Sequence, residues 1–133
     1  VPVVGVGTDV ADVARFARLL ERGGQRFLER WFRPTEVEWL NTKKARARHT
    51  AAQFAAKEAA LKAVRVPDLG PVRWREIEIT HGLHGSPGVV VHGSVRELAD
   101  AAGVSDFHLA LWHDDRVATA TVVAVSEPAR QLP

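Results

Sequence analysis

"FAAKEAALKA", residues 54–63, is an alanine-rich run with two lysines, one acid and little bulk. At about 100° per residue, Phe54, Glu58 and Leu61 fall on one stripe of a helix. The carboxylate therefore shares the face of the two largest apolar side chains. Two readings of Glu58 stand. It forms an i,i+4 surface pair with Lys62, acid first, worth about 0.3–0.5 kcal/mol. Or it looks across an interface at a cation, which requires a second ligand elsewhere in the chain.

Working outward, "KKARARHTAAQFAAKEAALKAV" (43–64) reads as the longest helix, stopping before Pro67. Upstream, "VPVVGVGTDV" opens as a short strand whose glycines allow close backbone approach. "DVARFARLLERGG" reads as a helix with the apolar stripe Val13, Phe16, Ala17 and Leu20, ended by Gly23-Gly24. "RFLERWF" is a short helical or turn segment. Pro34 and a Thr35…Glu38 capping box predict another helix ending near Asn41. Downstream the period changes to two. "REIEIT" and "VVVHG" flank the Gly/Pro turn "HGLHGSPG" as a hairpin. "SVRELADAAG" is a helix with a Ser94…Glu97 capping box and a glycine stop. "FHLALWH" and "VATATVVAVS" form a second hairpin around "DDR". The expected fold is α+β, a single domain (1–126) with a mainly antiparallel sheet packed against a long helix, followed by a loose tail, 127–133.

The chain has 133 residues and 46% hydrophobic side chains, enough for one domain with a real core. It contains no cysteine, which excludes disulfides, thiolate metal sites and a cysteine nucleophile. No apolar run approaches the roughly 18 residues of a membrane span, and no signal peptide opens the chain, which starts at Val1 without an initiator methionine. A cytoplasmic protein that contacts no membrane is expected. The net charge of +2 hides an asymmetry: residues 1–65 carry 13 Lys and Arg against 7 Asp and Glu, and residues 66–133 carry 5 against 9. A basic half implies an acidic partner. No helix-turn-helix, zinc or stacking-aromatic signature points to nucleic acid.

Two further residues carry potential chemistry. Asp9 follows directly on the first strand, where an N-cap would account for it without any further role. His113 sits at the end of "FHLALWH", where a surface histidine would be unremarked.

Taken together, "GVGTDVADVARF", "FAAKEAALKA", "GSPGVVVHG" and "WHDDRVATATVV" occur in the order and spacing of the holo-acyl-carrier-protein synthases, the small phosphopantetheinyl transferases. The chain resembles that family from about Val3 to Val125. Gly7, Asp9 and Arg15 match its G-x-D-x(5)-R pattern, and Phe54, Lys57, Glu58 and Lys62 its F-x-x-K-E-x-x-x-K pattern. The resemblance implies a phosphopantetheinyl transferase-like fold and transfer of the 4′-phosphopantetheine arm of coenzyme A to a serine of an acyl carrier protein, releasing 3′,5′-ADP. It implies Mg²⁺ held between the phosphates and Asp9 and Glu58, with Asp9, Glu58, Lys62 and His113 as the catalytic set. Lys62, Gln53, Pro87 and His113 match positions that meet coenzyme A. Lys57 also matches the family, with a solvated lysine as its plainer reading.

An acidic carrier protein gives the basic half its partner. Arg15, Arg18, Arg22 and Arg26 run at three- and four-residue spacing, and Phe27 is expected to fill an apolar pocket among them. The resemblance further implies a homotrimer with active sites between subunits. Three positions depart from the family: Trp112 stands where serine is usual, Gln53 where arginine is frequent, and Arg65 where glycine is usual. A diverged relative that keeps the fold and carrier docking, but acts on a carrier-bound intermediate or only binds, is the alternative that Trp112 and Gln53 support. Trp112 is expected to point away from His113, into the core or a subunit interface. The pathway served, fatty acid or polyketide, is left open.

Overall fold

A computed structural model describes residues 2–65 and 73–126. The expected tail, 127–133, lies outside the described residues. Strand β1 (Val3–Asp12) leads into helix α1 (Val13–Trp31), then α2 (Pro34–Asn41) and α3 (Arg46–Val64). The hairpin β2 (Ile77–His81) and β3 (Pro87–Val91) follows, then α4 (Gly93–Ala101) and the hairpin β4 (Asp106–His113) and β5 (Val117–Val125). The α+β class stands, but the antiparallel pairing is split into two sheets, β1-β5-β4 and β2-β3.

Helix α3 is the axis of the molecule. It is buried nearly all round, with Ala51, Ala52, Ala55, Ala56, Ala59, Ala60 and Ala63 all in the core. Alanine there serves close approach. A Cβ at Gly5 would lie 1.9 Å from the Ala63 carbonyl oxygen, and one at Gly7 1.9 Å from that of Ala59. Strand β1 therefore runs directly on the helix backbone, and only glycine permits it. The buried face of β5 (Ala118, Ala120, Val122, Ala124) completes this layer. Phe16, Phe27, Trp31, Phe54 and Trp74 close the other end as a cluster of tilted and stacked rings.

Lys57 is fully buried rather than solvated. Its Nζ donates to Glu36 Oε1 at 2.8 Å, to the Trp74 carbonyl at 3.0 Å and to the Ile77 carbonyl. Glu36 also accepts from the backbone N–H groups of Arg33 and Ile79. Burial pushes the Glu36 carboxyl up and the Lys57 amine down, and each charge opposes the shift of the other. Three acceptors around Nζ match the three donors of an ammonium, so the pair is ionised and satisfied. It fastens α2 and α3 to β2.

Several local expectations fail, most clearly where a polar side chain finds a partner in another segment. Asp9 is no N-cap; it lies inside β1, opposite Ala120. The Thr35…Glu38 box does not form, because Thr35 donates to Glu78 and Glu36 caps α2 from its third position. The Ser94…Glu97 box does not form either. Glu76, just before β2, accepts the N–H groups of Ser94 and Val95 and the Ser94 hydroxyl at the start of α4. Gly24 does break α1 (φ 52°, ψ −133°), but the helix resumes at once through "RFLERW" to Trp31. Ala17, placed on the apolar stripe, is exposed.

Candidate functional site

Strand β1 crossing α3 brings the two family acids together. Asp9 reaches Lys62, whose Nζ lies 3.2 Å from Asp9 Oδ1 and 3.0 Å from the Thr8 carbonyl. Lys62 thus pairs across to β1 rather than along its own helix to Glu58. Glu58 is half-buried beside Asp9. Its carboxyl is pushed up to about 7 by desolvation first, then by hydrogen bonding to and repulsion from Asp9, against the pull of Lys62 and Arg15. The helix stripe that put Glu58 among large side chains therefore faces a second carboxylate.

Two carboxylates on rigid elements, one of them pushed up to about 7 by burial and by its acidic neighbour, fit a hard divalent cation. Asp9 and Glu58 supply two carboxylates only, the number typical where phosphate and water complete a Mg²⁺ shell. Lys62 is more than half exposed and already on Asp9.

The coenzyme A candidates form a second cluster. Gln53, Pro87 and His113 line a cavity of about 290 Å³ with Trp39, His49, Ala52, His81, Gly85 and Leu111. Of the four, Lys62 alone is apart, with the acids. Arg48 Nε donates to His113 Nδ1 at 3.1 Å, and its Nη2 to the His113 carbonyl at 3.1 Å. An occupied Nδ1 lone pair places the remaining ring proton on Nε2. Burial, His49 and Arg48 all lower the His113 pKa, so the ring is neutral at neutral pH. His113 is an N–H donor there and not a ready proton acceptor. His81 stacks on Trp39, with centroids 3.6 Å apart and planes 6° from parallel.

Sequence reasoning missed Trp39, Arg48, His49 and His81. His49 and Gln53 stand at i,i+4 on one helix face, a signal that was available; the others are joined only by the fold. Gln53 and Glu58 are five residues apart on α3, hence about 140° apart around its axis. No acid of the first cluster lines the cavity.

On α1, Arg15, Arg18, Arg22 and Arg26 are all exposed, as expected of a docking row. Arg15 also covers the Phe16 and Phe54 rings, at 5.4 and 5.8 Å from the centroids. Phe27 is not among the surface groups. It is buried against Phe16, Trp31 and Phe32, so its expected role as a docking residue fails. Trp112 is 57% exposed, so of its two expected places, the core or a subunit interface, the core of the chain is excluded. It points away from the cavity, as strand alternation requires.

The family model described as the 4′-phosphopantetheinyl transferase superfamily matches residues 5–122. The holo-[acyl-carrier-protein] synthase of Clavibacter sepedonicus is 42% identical over 125 residues, covering 94% of this chain and 98% of that protein. The crystal structure of the Neisseria meningitidis holo-[acyl-carrier-protein] synthase is 30% identical with a TM-score of 0.82, covering 94% of this chain and all of that one. The Bacillus anthracis synthase, solved in complex with CoA (3′,5′-ADP), is 27% identical with a TM-score of 0.75, over 94% of this chain and 98% of that one. With the glycine-lined strand, the paired acids and Lys62 all in place, the chain belongs to the 4′-phosphopantetheinyl transferase superfamily, among the holo-[acyl-carrier-protein] synthases.

Proposed function

We propose that this enzyme transfers the 4′-phosphopantetheine arm of coenzyme A to a serine of an acyl carrier protein, with Mg²⁺, releasing 3′,5′-ADP. The observation that carries this reading is the Asp9–Glu58 pair with Lys62 beside it. The serine hydroxyl oxygen bonds to the β-phosphorus and gives its proton to solvent, while the bridging P–O bond breaks and its electron pair leaves with 3′,5′-ADP. Asp9 and Glu58 would hold Mg²⁺, which neutralises the diphosphate so that an oxygen nucleophile can approach. Lys62 provides a mobile cation for charge gathering on the phosphates, and His113 an N–H donor to the nucleotide portion. The exposed arginines of α1 suit an acidic carrier, whether of fatty acid or polyketide synthesis. Trp112 stays out of the cavity, which removes one of the two supports for a diverged, non-transferring relative.

A homotrimer with shared sites belongs to the same reading. The acids and the nucleotide cavity lie on different faces of α3, so a neighbouring copy is the natural source of the missing half. The outer face of β1-β5-β4 offers a surface for it. Val6, Val10 and Trp112 are exposed there, with Val10, Thr119 and Trp112 in one cross-strand row. No helix among the described residues is long and apolar enough to cross a membrane, in keeping with a cytoplasmic site of action. The test is direct: incubate with coenzyme A, Mg²⁺ and apo carrier proteins, then weigh the carriers. No mass gain of one phosphopantetheine on any carrier would remove the reading.

A further inference from the structure

In the first turn of α3, Arg48 closes a fork on the end of β4. Its Nε donates to His113 Nδ1, its Nη2 to the His113 carbonyl and its Nη1 to Asp115 Oδ1, each at 3.1 Å. Two bonds reach one residue, one to the ring and one to the main chain, so the plane of the imidazole is set before a ligand arrives. The chain beyond is set as well, because Asp114 Oδ1 accepts the N–H groups of Arg116 and Val117 and closes the turn. A plain surface ion pair accounts for Asp115, which is 90% exposed, but not for two contacts to a neighbouring histidine.

Charge follows from the same geometry. A ring whose Nδ1 accepts from a guanidinium cannot take a proton there without losing that bond and meeting a cation at hydrogen-bond distance. The other titratable and charged groups around the ring are His49 on α3, with its centroid 4.8 Å away, His81 across the cavity on β2, and Asp114 and Asp115 in the turn. Burial, His49 and Arg48 hold the His113 pKa below its ordinary value, and Asp114 pulls the other way. Asp115 is paired to Arg48, and Lys43 acts on His81.

We propose that Arg48 is a positioning residue for His113: by holding Nδ1 and the carbonyl together it fixes the plane of the ring and reserves the Nε2–H for a ligand. The ligand's part in this rests on the transferase reading above, whereas the state of the ring does not. Lysine would not serve in its place, since an ammonium carries the charge without the planar fork.

The experiment follows the His113 ring by nitrogen-15 NMR, its signal assigned by loss in His113→Gln, and coenzyme A binding by calorimetry. Both are measured in the intact protein, in Arg48→Lys and in Arg48→Met, each variant first shown by thermal melting to be folded. In Arg48→Met, His113 should titrate at higher pH than in the parent, because Nδ1 is freed and a cation is gone. Coenzyme A should bind about 5- to 10-fold more weakly than to the parent at pH 8. That deficit should shrink at pH 6, where the freed ring gains a charge that attracts phosphate. In Arg48→Lys the charge remains and the fork does not, so the deficit should be the same at both pH values. An unmoved His113 titration, or parent affinity at pH 8, in folded Arg48→Met overturns the positioning role. Parent affinity in Arg48→Lys also overturns it, since charge alone would then suffice. Failure of coenzyme A to bind the intact protein overturns the transferase reading instead, and the ring titration still decides the role of Arg48.

Discussion

Glu58→Gln should abolish transfer and make the protein more stable, a combination that loss of folding cannot produce. The folded carboxyl titrates at about 7 against 4.5 for an unperturbed one. Between those values the native state holds a proton that the unfolded chain has released, so stability falls as pH rises from 4.5 to 7. Above pH 7 the native state carries the full cost of an ionised Glu58 beside Asp9. At about 1.36 kcal/mol per pH unit, the gap corresponds to about 3.4 kcal/mol. Glu58 is only half-buried, and solvent screening reduces this to about 1–2 kcal/mol. Removing the charge should recover that amount at pH 8 and almost nothing at pH 4.5. Urea unfolding at the two pH values measures it. Magnesium provides the second arm: if it binds the acid pair, it should raise the melting temperature of the unsubstituted protein at pH 8 more than that of Glu58→Gln. A Glu58→Gln protein less stable than its parent at pH 8, or one that transfers normally at limiting Mg²⁺, refutes the account of the acid pair.

The other predictions address separate links. Lys57→Met leaves Glu36 ionised and buried without its cation and should cost about 3–5 kcal/mol in chemical unfolding, whereas a solvated lysine would cost almost nothing. Reversing Arg15 and Arg22 to Glu should raise the KM for carrier protein, with coenzyme A affinity from titration nearly unchanged; equal loss of both would place docking elsewhere. Trp112→Asp should leave the circular dichroism of the folded chain unchanged while light scattering shows the assembly falling apart, and an unaltered oligomer would remove the sheet face as its interface. Arg65 ends α3 with φ 59° and ψ 44°, so Arg65→Gly should stabilise by about 0.5–1 kcal/mol, the left-handed cost outweighing the added entropy of glycine in the unfolded chain.

What the sequence revealed and concealed follows from the range of the forces involved. Alternation and helical period are properties of neighbours, so the hairpins, α3 and the α+β class could be read directly from the order of residues. The misreadings occur where a local partner was plausible and a remote one was better. Ser94 has Glu97 three residues on, yet Glu76 reaches it from before β2, because a carboxylate already fixed by its own fold loses less entropy in capping a helix than a side chain recruited from within it. Lys62 has Glu58 one turn back, yet bonds Asp9 from β1. Phe27 follows the four arginines of the row and reads as a docking anchor, but the Gly24 kink turns it into the aromatic cluster.

The candidate site divides along the same line. Asp9, Glu58 and Lys62 are legible through two short motifs, one running from β1 into the start of α1 and the other confined to α3. The cavity draws Trp39 from α2, His49 and Gln53 from α3, His81 and Pro87 from the hairpin and His113 from β4. No single run of sequence advertises such a set, because its members sit on separate elements that only the packing around α3 brings together. Gln53 marks the boundary: its spacing from His49 belongs to one helix and is legible, whereas its hydrogen bond with His81 crosses 28 residues to the hairpin and is not.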